Sequence, residues 1–462
     1  MPISAGSSKR YVVLPSYGIA GKAMQASIFR SGSGISLARE LGARVAHMAA
    51  GSLTRRLGLT ALAATATSEP DALEASHFRV LSQRFADGPA VVSMTEAARL
   101  AFQAAYPDLR VLPMTRYHLP GMVPRRNRAA VTAGGIPTGM SAVDGSGQVF
   151  LNDGKQQLLR TLNGPTSQRG KGVRIGVVDT GIDAGHPALN RNVTVLRCLI
   201  PEVEPTAGGP VNWGHAAAGR AGHGTHVAGI LAAEQGHGGP SGVAPEASLI
   251  SYRVFPDSAT GPQAAENAVI IDSIRAAIED DCHIINLSLE GASLKEDGVR
   301  SAISDAWNQG VLCIAAAGNG WGMPVSYPAA LPHCVAVTAV GRDGAFPALP
   351  EFQSLATNQR STIDPTIFLA AFSNFGPRVQ FTAPGHAIVS TFPGNQWWYD
   401  SGTSMAAPFV AGILARLLSD TPAVLGMFGD AQRSAAMLQL LVGRATVLRL
   451  PQRAQEGYGL PL

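Results

Sequence analysis

Apolar and polar positions follow a repeating order in the larger, C-terminal part of this chain. Near-continuous apolar runs recur there, as expected for strands that are buried on both faces of a parallel sheet. Helical patterns lie between these runs, at residues 224–233, 265–279 and 299–309. The alternation predicts an α/β fold with a doubly wound, mainly parallel sheet and helices on both faces. The apolar runs cover residues 173–178, 248–254, 283–288, 311–317 and 335–340.

The first 119 residues show a different order of elements. A predicted hairpin, a helix and a further strand follow one another, which is typical of a small, open-faced α+β module. The predicted strands are at residues 11–15, 78–85, 90–94 and 110–119, and the predicted helices at residues 37–48 and 95–106. Residues 120–145 contain Pro-Gly and Gly-Gly pairs and the basic residues Arg125, Arg126 and Arg128, and predict an exposed linker that is open to proteolysis. We therefore divide the chain into a flexible tail (1–10), a small module (11–119), a linker (120–155) and an α/β domain (156–462).

Composition narrows the class of protein. The chain has 462 residues, of which 46% are hydrophobic and 15% charged, so it is globular and long enough for two or three domains. Basic residues exceed acidic ones in the first 130 residues, and acidic residues exceed basic ones in the remainder. Because the arginines are scattered and form no basic-aromatic cluster, we expect no nucleic-acid partner. We interpret the asymmetry as a basic N-terminal module that docks on a mildly acidic main domain.

Membranes and disulfides are not expected either. No run of about 18 apolar residues occurs, which excludes a membrane-spanning helix. The first ten residues are small and polar and do not form a signal peptide, so we expect a cytoplasmic protein. The cysteines lie in apolar surroundings without C-x-x-C spacing, which favours buried free thiols, although counting alone leaves a disulfide open. They are Cys198, Cys282, Cys313 and Cys334.

One serine stands directly before a long apolar segment. Ser404 precedes an apolar run at residues 409–418, which predicts a buried helix, and Pro408 fits the first turn of such a helix. Ser404 would then have an exposed hydroxyl and an unpaired backbone N–H at the helix N-terminus, which suits a nucleophile. The alternative is a simple helix cap. Taken alone, this stretch favours the cap.

Three further residues change that balance, because each stands at the end of its own element. Asp179 ends the first predicted strand of the sheet, His223 opens a helix, and Asn319 follows the strand at 311–317. A nucleophilic serine needs an imidazole base that a carboxylate orients, and an Asn amide can stabilise an oxyanion. Together, in the order Asp, His, Ser, they predict a catalytic triad.

Taken singly, each of these residues has an ordinary alternative. Asp179 could be a turn residue, and Asn319 between two glycines could be a left-handed turn. His223 and His226 form an H-x-x-H pair that suggests a metal site, but Gly224 stands where zinc-protease motifs have Glu.

The segments around these residues resemble a known family. Residues 178–183 (VDTGID), 222–229 (GHGTHVAG) and 402–408 (GTSMAAP) are similar to the three signatures of the subtilisin-like serine proteases. The resemblance extends from about Gly172 to the closing residues 457–460. It implies a subtilisin-like fold and assigns roles to individual residues. By resemblance, Ser404 is the nucleophile, His223 is the base, and Asp179 is the carboxylate that orients His223. Asn319 and the Ser404 N–H would form the oxyanion hole, and His226 would be a structural neighbour.

The resemblance implies a serine endopeptidase that acts on peptides or proteins through an acyl-enzyme. The alternatives are a transpeptidase or macrocyclase that uses the same acyl-enzyme, and a non-catalytic peptide-binding relative. The segment that would pair with an extended substrate comprises Ser288, Leu289, Glu290 and Gly291. The opposite wall of the primary pocket comprises Ala316, Ala317 and Gly318, with residues 326–328 near its floor.

The sequence does not decide which substrate side chain the predicted pocket prefers. The family usually has Gly where this chain has Glu290. Its carboxylate either favours basic substrate side chains or points to solvent. The small residues of the pocket would allow a large apolar side chain.

Residues 11–119 resemble the pro-domain of this family. The resemblance implies that the chain's own N-terminal module assists folding and then inhibits the enzyme by blocking the cleft with residues 110–119. A cut would follow Tyr117, His118 or Leu119, or fall in the arginine cluster of the linker. The alternative is a permanently attached accessory domain.

The chain departs from the family at a metal site and at two inserts. Many relatives hold a structural calcium, but the corresponding places here are Ala188 and the loop 236–240, which lack carboxylates. We therefore expect no cofactor and no calcium at this place. Glu202, Glu204, Asp257 and Asp272 could form another site, although scattered acids are usually solvated. The inserts lie between Asp179 and His223 and at about residues 342–367.

Overall fold

The computed structural model describes two compact units of the chain. One comprises Met1–Thr115 with Glu266–Asp272, and the other Arg116–Ala265 with Ser273–Leu462. The predicted helix 37–48 and Glu202, Glu204 and Asp257 lie outside the described residues, and the domain boundaries stay predictions. The described residues are 9–15, 78–83, 90–105, 107, 109–119, 130–131, 169–200, 222–237, 239–256, 264–291, 297–344 and 350–461.

In its described part, residues 9–113, the first unit contains a four-stranded antiparallel sheet and a helix that follows the third strand. Its elements are β1 (Lys9–Pro15), β2 (Phe78–Gln83), β3 (Ala90–Met94), helix α1 (Glu96–Ala105) and β4 (Leu109–Pro113). The strand order is β2-β3-β1-β4. Thr95 caps α1, because its hydroxyl oxygen accepts the Ala98 N–H at 3.3 Å. The Tyr11 hydroxyl on β1 donates to Glu96 at 2.7 Å and ties the helix to the sheet.

The remaining elements follow in chain order. The strands are β5 (Arg116–His118), β6 (Ala130–Val131), β7 (Arg174–Asp179), β8 (Val193–Cys198), β9 (Ser248–Arg253), β10 (Ala264–Glu266), β11 (Ile284–Leu287), β12 (Glu290–Gly291), β13 (Leu312–Ala316), β14 (Cys334–Arg342), β15 (Ala356–Arg360), β16 (Ile367–Ala370), β17 (Val379–Pro384), β18 (Ile388–Phe392), β19 (Gln396–Asp400), β20 (Ala445–Thr446) and β21 (Leu460–Pro461). The helices are α2 (His223–Ala232), α3 (Asn267–Glu279), α4 (Asp297–Asn308), α5 (Pro350–Gln353), α6 (Thr403–Ser419), α7 (Pro422–Leu425) and α8 (Ala431–Arg444).

A nine-stranded sheet forms the core of the second unit. Its order is β15-β16-β14-β13-β11-β7-β9-β8, and β17 pairs with β14. Strand β16 runs antiparallel to both of its neighbours, β14 and β15, and the other pairings in this sheet are parallel. Strands β11 and β13 are buried at every position, which requires cover on both faces. The predicted α/β fold class is confirmed.

The parallel order brings the predicted site residues to one edge. Strands β7, β11 and β13 are consecutive neighbours in the sheet. Strand β7 ends at Asp179, β11 ends one residue before Ser288, and β13 ends two residues before Gly318. The carboxyl ends of parallel strands meet at the same edge of a sheet, where α/β proteins place their functional groups.

Helix α6 is buried along its entire length. All 17 of its residues are buried, and it packs on α2 and on strands β11, β13, β14 and β17. Pro408 is the sixth residue of this helix, so the expectation that it lies in the first turn is wrong. The reason is that the helix begins already at Thr403.

Two other elements differ from the predictions. The predicted strand 110–119 is divided into β4 and β5, because Pro113 has no N–H to continue the ladder and the Met114 N–H turns to the Arg10 carbonyl. The predicted helix 265–279 begins only at Asn267, whose side-chain oxygen accepts the Ala268 N–H at 3.0 Å.

All four cysteines are free thiols. Cys282, Cys313 and Cys334 are buried, and Cys198 is partly exposed. Burial raises the pKa of Cys282 and of Cys313 to about 12, so both remain protonated. No helix in the described ranges has the length and apolar character needed to cross a membrane.

Candidate active site

Asp179 and His223 form a buried pair. His223 Nδ1 lies 2.9 Å from both carboxylate oxygens of Asp179, and both side chains are at least nine-tenths buried. The Thr180 N–H donates to Asp179 Oδ1 at 2.7 Å and holds the carboxylate in place. Because a carboxylate only accepts hydrogen bonds, Nδ1 carries the proton of the neutral ring and Nε2 keeps its lone pair. The pair therefore presents a base at Nε2.

Two threonine hydroxyls fix the loop of Asp179 to the start of helix α2. Thr180 Oγ1 accepts the Gly224 N–H at 3.0 Å, and Thr225 Oγ1 accepts the Asp183 N–H at 2.9 Å. A Cβ at position 224 would collide with the Gly181 carbonyl, so only glycine permits this approach. The first turn of the helix is thus capped by the neighbouring loop, which sets the distance between Asp179 and His223.

His226 faces away from this pair. Its Nε2 atom lies 2.9 Å from the Trp398 carbonyl and 3.1 Å from the Ile388 carbonyl, to which it donates. It therefore connects α2 to the β18–β19 hairpin. Among the residues that the structure describes, no group of three or more His, Cys, Asp or Glu side chains could hold a metal ion.

Ser404 is the second residue of α6, and its side chain is buried rather than exposed. Its hydroxyl donates to the Ser288 carbonyl at 3.4 Å, and its own carbonyl accepts the Ser288 hydroxyl at 3.0 Å. The second bond compensates for Pro408, since residue 408 would normally donate its N–H to the carbonyl of residue 404. Ser288 thus satisfies the carbonyl that the helix leaves open.

Asn319 has a fixed amide orientation. Its Oδ1 atom accepts both the Thr403 N–H at 2.9 Å and the Thr403 hydroxyl at 2.8 Å. The Nδ2 donor therefore faces the other way, towards Gly402. A Cβ on Gly402 would lie 3.0 Å from Asn319 Nδ2 and 3.6 Å from the backbone N of Ser404. Two donors thus converge on one small space beside the serine, the arrangement needed to stabilise an oxyanion.

The predicted cleft segment meets a strand of the same unit. Strand β12 pairs antiparallel with β5, with Glu290 opposite His118 and Gly291 opposite Tyr117. Strand β5 lies between β10 and β12 in a three-stranded sheet. On its other edge, Gly291 exchanges hydrogen bonds with Tyr327, at 2.7 and 3.2 Å. Strand β12 is therefore paired on both edges, and on one of them β5 has the antiparallel pairing that an extended peptide would adopt.

The remaining predicted cleft residues surround the same place. Leu289, Ala316 and Ala317 are fully buried and support the wall rather than form its surface. Gly318 has a φ of 106°, a left-handed conformation that favours glycine. Glu290 is half-buried, and its Oε2 atom accepts the Asn319 N–H at 3.4 Å. The carboxylate therefore contacts the segment of Gly318 and Asn319.

Sequence reasoning assigned no role to the Thr403 side chain and no contact to the Tyr117 ring. Thr403 Oγ1 donates to Asn319 and accepts the Gly318 N–H at 3.1 Å, so it joins the two sides of the site. Its place between Gly402 and Ser404 was a usable signal. Tyr117 is fully buried, and a Cβ on Gly291 would lie 2.9 Å from its ring. No local pattern marks Tyr117, because its contact is 174 positions away in the chain.

The place where the resemblance implies a structural calcium is apolar. Trp397 is fully buried there in a cluster with Ala188, Ala233 and Val389. Its indole lies so close to Gly239 that a Cβ at position 239 would collide with the ring. Indole and methyl groups offer none of the oxygen ligands that calcium requires, so the residues present do not fit the ion.

Comparison with known proteins identifies the family. The sequence model of the subtilase family matches residues 170–459. The chain belongs to the subtilase family. It is 35% identical to subtilisin E of Bacillus subtilis (strain 168) over 258 residues, which cover 55% of this chain and 57% of subtilisin E. It is 34% identical to subtilisin of Bacillus pumilus over 258 residues, covering 55% of this chain and 79% of that protein.

Thermitase of Thermoactinomyces vulgaris is a further relative of this subtilase. The two are 32% identical over 251 residues, which cover 54% of this chain and 76% of thermitase. The chain thus spans little more than half the length of several of the subtilisins that it matches, such as subtilisin E.

We expect the hydrogen bond from the Ser288 hydroxyl to the Ser404 carbonyl to stabilise the folded state of this subtilase. Ser288→Ala leaves that buried carbonyl without its donor and Asn286 without its acceptor, and should lower the free energy of unfolding by about 2–3 kcal/mol. Pro408→Ala supplies an N–H for the same carbonyl. It should therefore raise the free energy of unfolding by about 1 kcal/mol in the Ser288→Ala protein and by less in the wild type.

Thermal or denaturant unfolding of the two single variants and the double variant measures this coupling. A Ser404→Ala background keeps the carbonyl and removes the hydroxyl in all samples. Equal effects of Pro408→Ala with and without Ser288 would show that the two residues do not share the Ser404 carbonyl.

Proposed function

We propose that this subtilase is a serine endopeptidase that cleaves peptides or proteins through an acyl-enzyme. The observation that carries the proposal is the pair of donors, Asn319 Nδ2 and the Ser404 N–H, that converge on the space next to Gly402. The buried pair of Asp179 and His223 supplies the base. The strand edge at β12 supplies the place for an extended substrate.

The chemistry follows from these groups. The Ser404 hydroxyl exchanges its long bond to Ser288 for one to His223 Nε2, which takes its proton as Oγ attacks the substrate carbonyl carbon. The carbonyl oxygen becomes negative and enters the space between Asn319 Nδ2 and the Ser404 N–H. The C–N bond then breaks, and His223 returns the proton to the leaving amine. Water repeats the sequence on the acyl-enzyme and releases the acid.

We further propose that the chain inhibits itself through β5. This segment follows the first unit in sequence and has the antiparallel pairing with β12 that a substrate would adopt. Tyr117 anchors it against Gly291. Removal of this segment by a cut in the arginine cluster of the linker would free the cleft, and cuts after Tyr117, His118 or Leu119 stay predictions. A cytoplasmic location and the N-terminal unit's help in folding stay predictions.

We also propose that calcium is not needed for the fold near Ala188 and Gly239. This proposal is based on Trp397, which fills the space between these two residues with apolar contacts. Glu234, which follows α2, has its carboxylate near Arg191 and His237. These contacts give the segments a further connection through their own side chains.

Labelling with a fluorophosphonate tests the enzyme proposal. We expect a covalent adduct on Ser404 of the native chain and none on Ser404→Ala, because only an activated serine displaces fluoride from the probe. Denatured wild type is the control for non-specific reaction. Absence of an adduct in both the wild type and the Tyr117→Ala chain would contradict the proposal and favour a non-catalytic peptide-binding protein.

Gly402→Ala tests the oxyanion space. The new methyl group would stand 3.0 Å from Asn319 Nδ2, so we expect kcat for peptide hydrolysis to fall about 100-fold, as when one oxyanion donor is lost. The backbone at Gly402 is extended, with φ 167°, and tolerates alanine, so the melting temperature should change little. Gly443→Ala is the matched control, since a Cβ there meets no atom within 4 Å. A kcat within threefold of wild type would contradict the assignment.

Tyr117→Ala in the full-length chain tests self-inhibition. Loss of the buried ring should loosen β5 and increase the rate of fluorophosphonate labelling at least tenfold, whereas Arg116→Ala on the exposed face of the same strand should not. Intact-mass measurement adds a second readout, because a self-processing wild type loses N-terminal residues that Ser404→Ala keeps. Equal labelling rates and identical full-length masses would count against this role of β5.

Metal removal tests the calcium proposal. Excess chelator should leave the melting temperature of the chain within about 2 °C, because apolar packing replaces the ion. Trp397→Ala should lower the free energy of unfolding by about 3–5 kcal/mol through loss of a fully buried side chain. Trp321→Ala is the control, since Trp321 is 56% exposed. A large drop in melting temperature with chelator, reversed by calcium, would refute the proposal.

A further inference from the structure

The carboxylate of Glu290 lies on the pocket side of strand β12. Successive side chains along a strand point to opposite faces, and the Cβ direction of Gly291 faces the Tyr117 ring. Glu290 therefore projects from the other face. There its Oε2 atom lies 2.6 Å from the position that a Cβ of Gly318 would take, and it accepts the Asn319 N–H at 3.4 Å.

Two further polar atoms border the same small volume. Ser326 Oγ and Asn374 Nδ2 both lie too close to Gly318 for a Cβ to fit between them. Asn374 Nδ2 donates to Ser326 Oγ at 3.0 Å, so the hydroxyl hydrogen of Ser326 is directed elsewhere. A carboxylate, a hydroxyl and an amide thus meet at the wall that also carries Asn319. A wall that carries these groups suits a charged or polar substrate group better than a hydrocarbon.

The register of β5 shows which substrate side chain would meet Glu290. In the antiparallel pairing Glu290 lies opposite His118. If a bound peptide continues this register past the end of β12, its residue two positions further on lies opposite Ser288 and projects from the same face. The Ser288 carbonyl accepts the Ser404 hydroxyl. The residue opposite Ser288 is therefore the one whose carbonyl Ser404 would attack, and its side chain shares a face with Glu290.

We propose that Glu290 is a specificity-determining residue that makes this site prefer arginine or lysine immediately before the scissile bond. The inference rests on the proposed endopeptidase function. A guanidinium or ammonium in the pocket pairs with the Glu290 carboxylate in charge-assisted hydrogen bonds. A neutral side chain of the same shape offers this carboxylate no charge-assisted hydrogen bond, so it gains less binding energy.

The position beside Asn319 links this preference to the rate of the chemical step. The Asn319 backbone N–H contacts the carboxylate, while its side chain faces the oxyanion space. The negative charge of Glu290 therefore opposes the charge that develops on the substrate oxygen, and a cation on the substrate reduces this opposition. A basic substrate residue should raise kcat as well as lower KM.

Matched substrates test the proposal in the full-length chain, as wild type and as Tyr117→Ala. We would compare tetrapeptide p-nitroanilides that end in arginine, lysine, citrulline, norleucine or alanine, because citrulline keeps the shape of arginine without its charge. The expected kcat/KM for arginine is about 10- to 100-fold above that for citrulline. Equal values, or a preference for norleucine or alanine, would overturn the inference.

Variants at position 290 add a second test. Glu290→Gln keeps the size of the side chain and should reduce the ratio of arginine to citrulline to within about threefold. Asp281→Asn removes one acidic charge at a site that is 86% exposed and has a φ of 53°, which asparagine tolerates, and should leave the ratio unchanged. A Glu290→Gln chain that keeps the full preference for arginine would overturn the assignment to Glu290.

Fluorophosphonate labelling separates this inference from the proposed function. Labelling of Ser404 at comparable rates in wild type and Glu290→Gln, without any preference for basic substrates, refutes the inference and leaves the endopeptidase intact. Failure of all chains to label, with no hydrolysis of any substrate, refutes both.

Discussion

The buried N-terminus of helix α6 is the constraint on which the site depends. A helix that is buried on every side cannot expose its first N–H groups and unpaired carbonyls to water, so the protein has to satisfy them. The side chain of Asn319 accepts the Thr403 N–H, and the Ser288 hydroxyl donates to the Ser404 carbonyl. Both partners come from neighbouring strand ends of the sheet. Satisfying the helix start therefore also orients Asn319 Nδ2 and leaves the Ser404 N–H directed at the same space.

The start of helix α2 is also satisfied by side chains from neighbouring segments. Its start has no cap of its own, and Thr180 from the preceding strand end supplies the acceptor for Gly224. Further along, the Ser390 and Thr391 hydroxyls donate to the carbonyls of His226 and Thr225, both at 2.7 Å. These bonds fix the rotation of α2 about its axis. The direction of His223 towards Asp179 is thus set by hydroxyl groups that take no part in proton transfer themselves.

Much of this arrangement could be predicted because it is local. Buried strands appear as apolar runs, and polar residues at strand ends indicate the functional edge, which is why Asp179 and Asn319 are visible in the sequence. The missed features depend on pairs that are distant in the chain. Pro408 is tolerated inside α6 because the Ser288 hydroxyl donates to the Ser404 carbonyl, from 116 positions away in the chain. Trp397 packs on Gly239 in the same manner, and neither residue carries a local signal for the other.

The direction of Glu290 belongs to this second class, and it shows how one edge can serve two purposes. An open strand edge at β12 would expose unpaired backbone groups, a hazard that β5 removes by pairing with it. The same pairing turns Gly291 towards Tyr117 and so leaves Glu290 on the face of Gly318. A substrate that replaces β5 would keep this alternation, because the period of a strand does not depend on which peptide fills it. The face from which Glu290 projects is therefore already fixed by the pairing of β12 with β5.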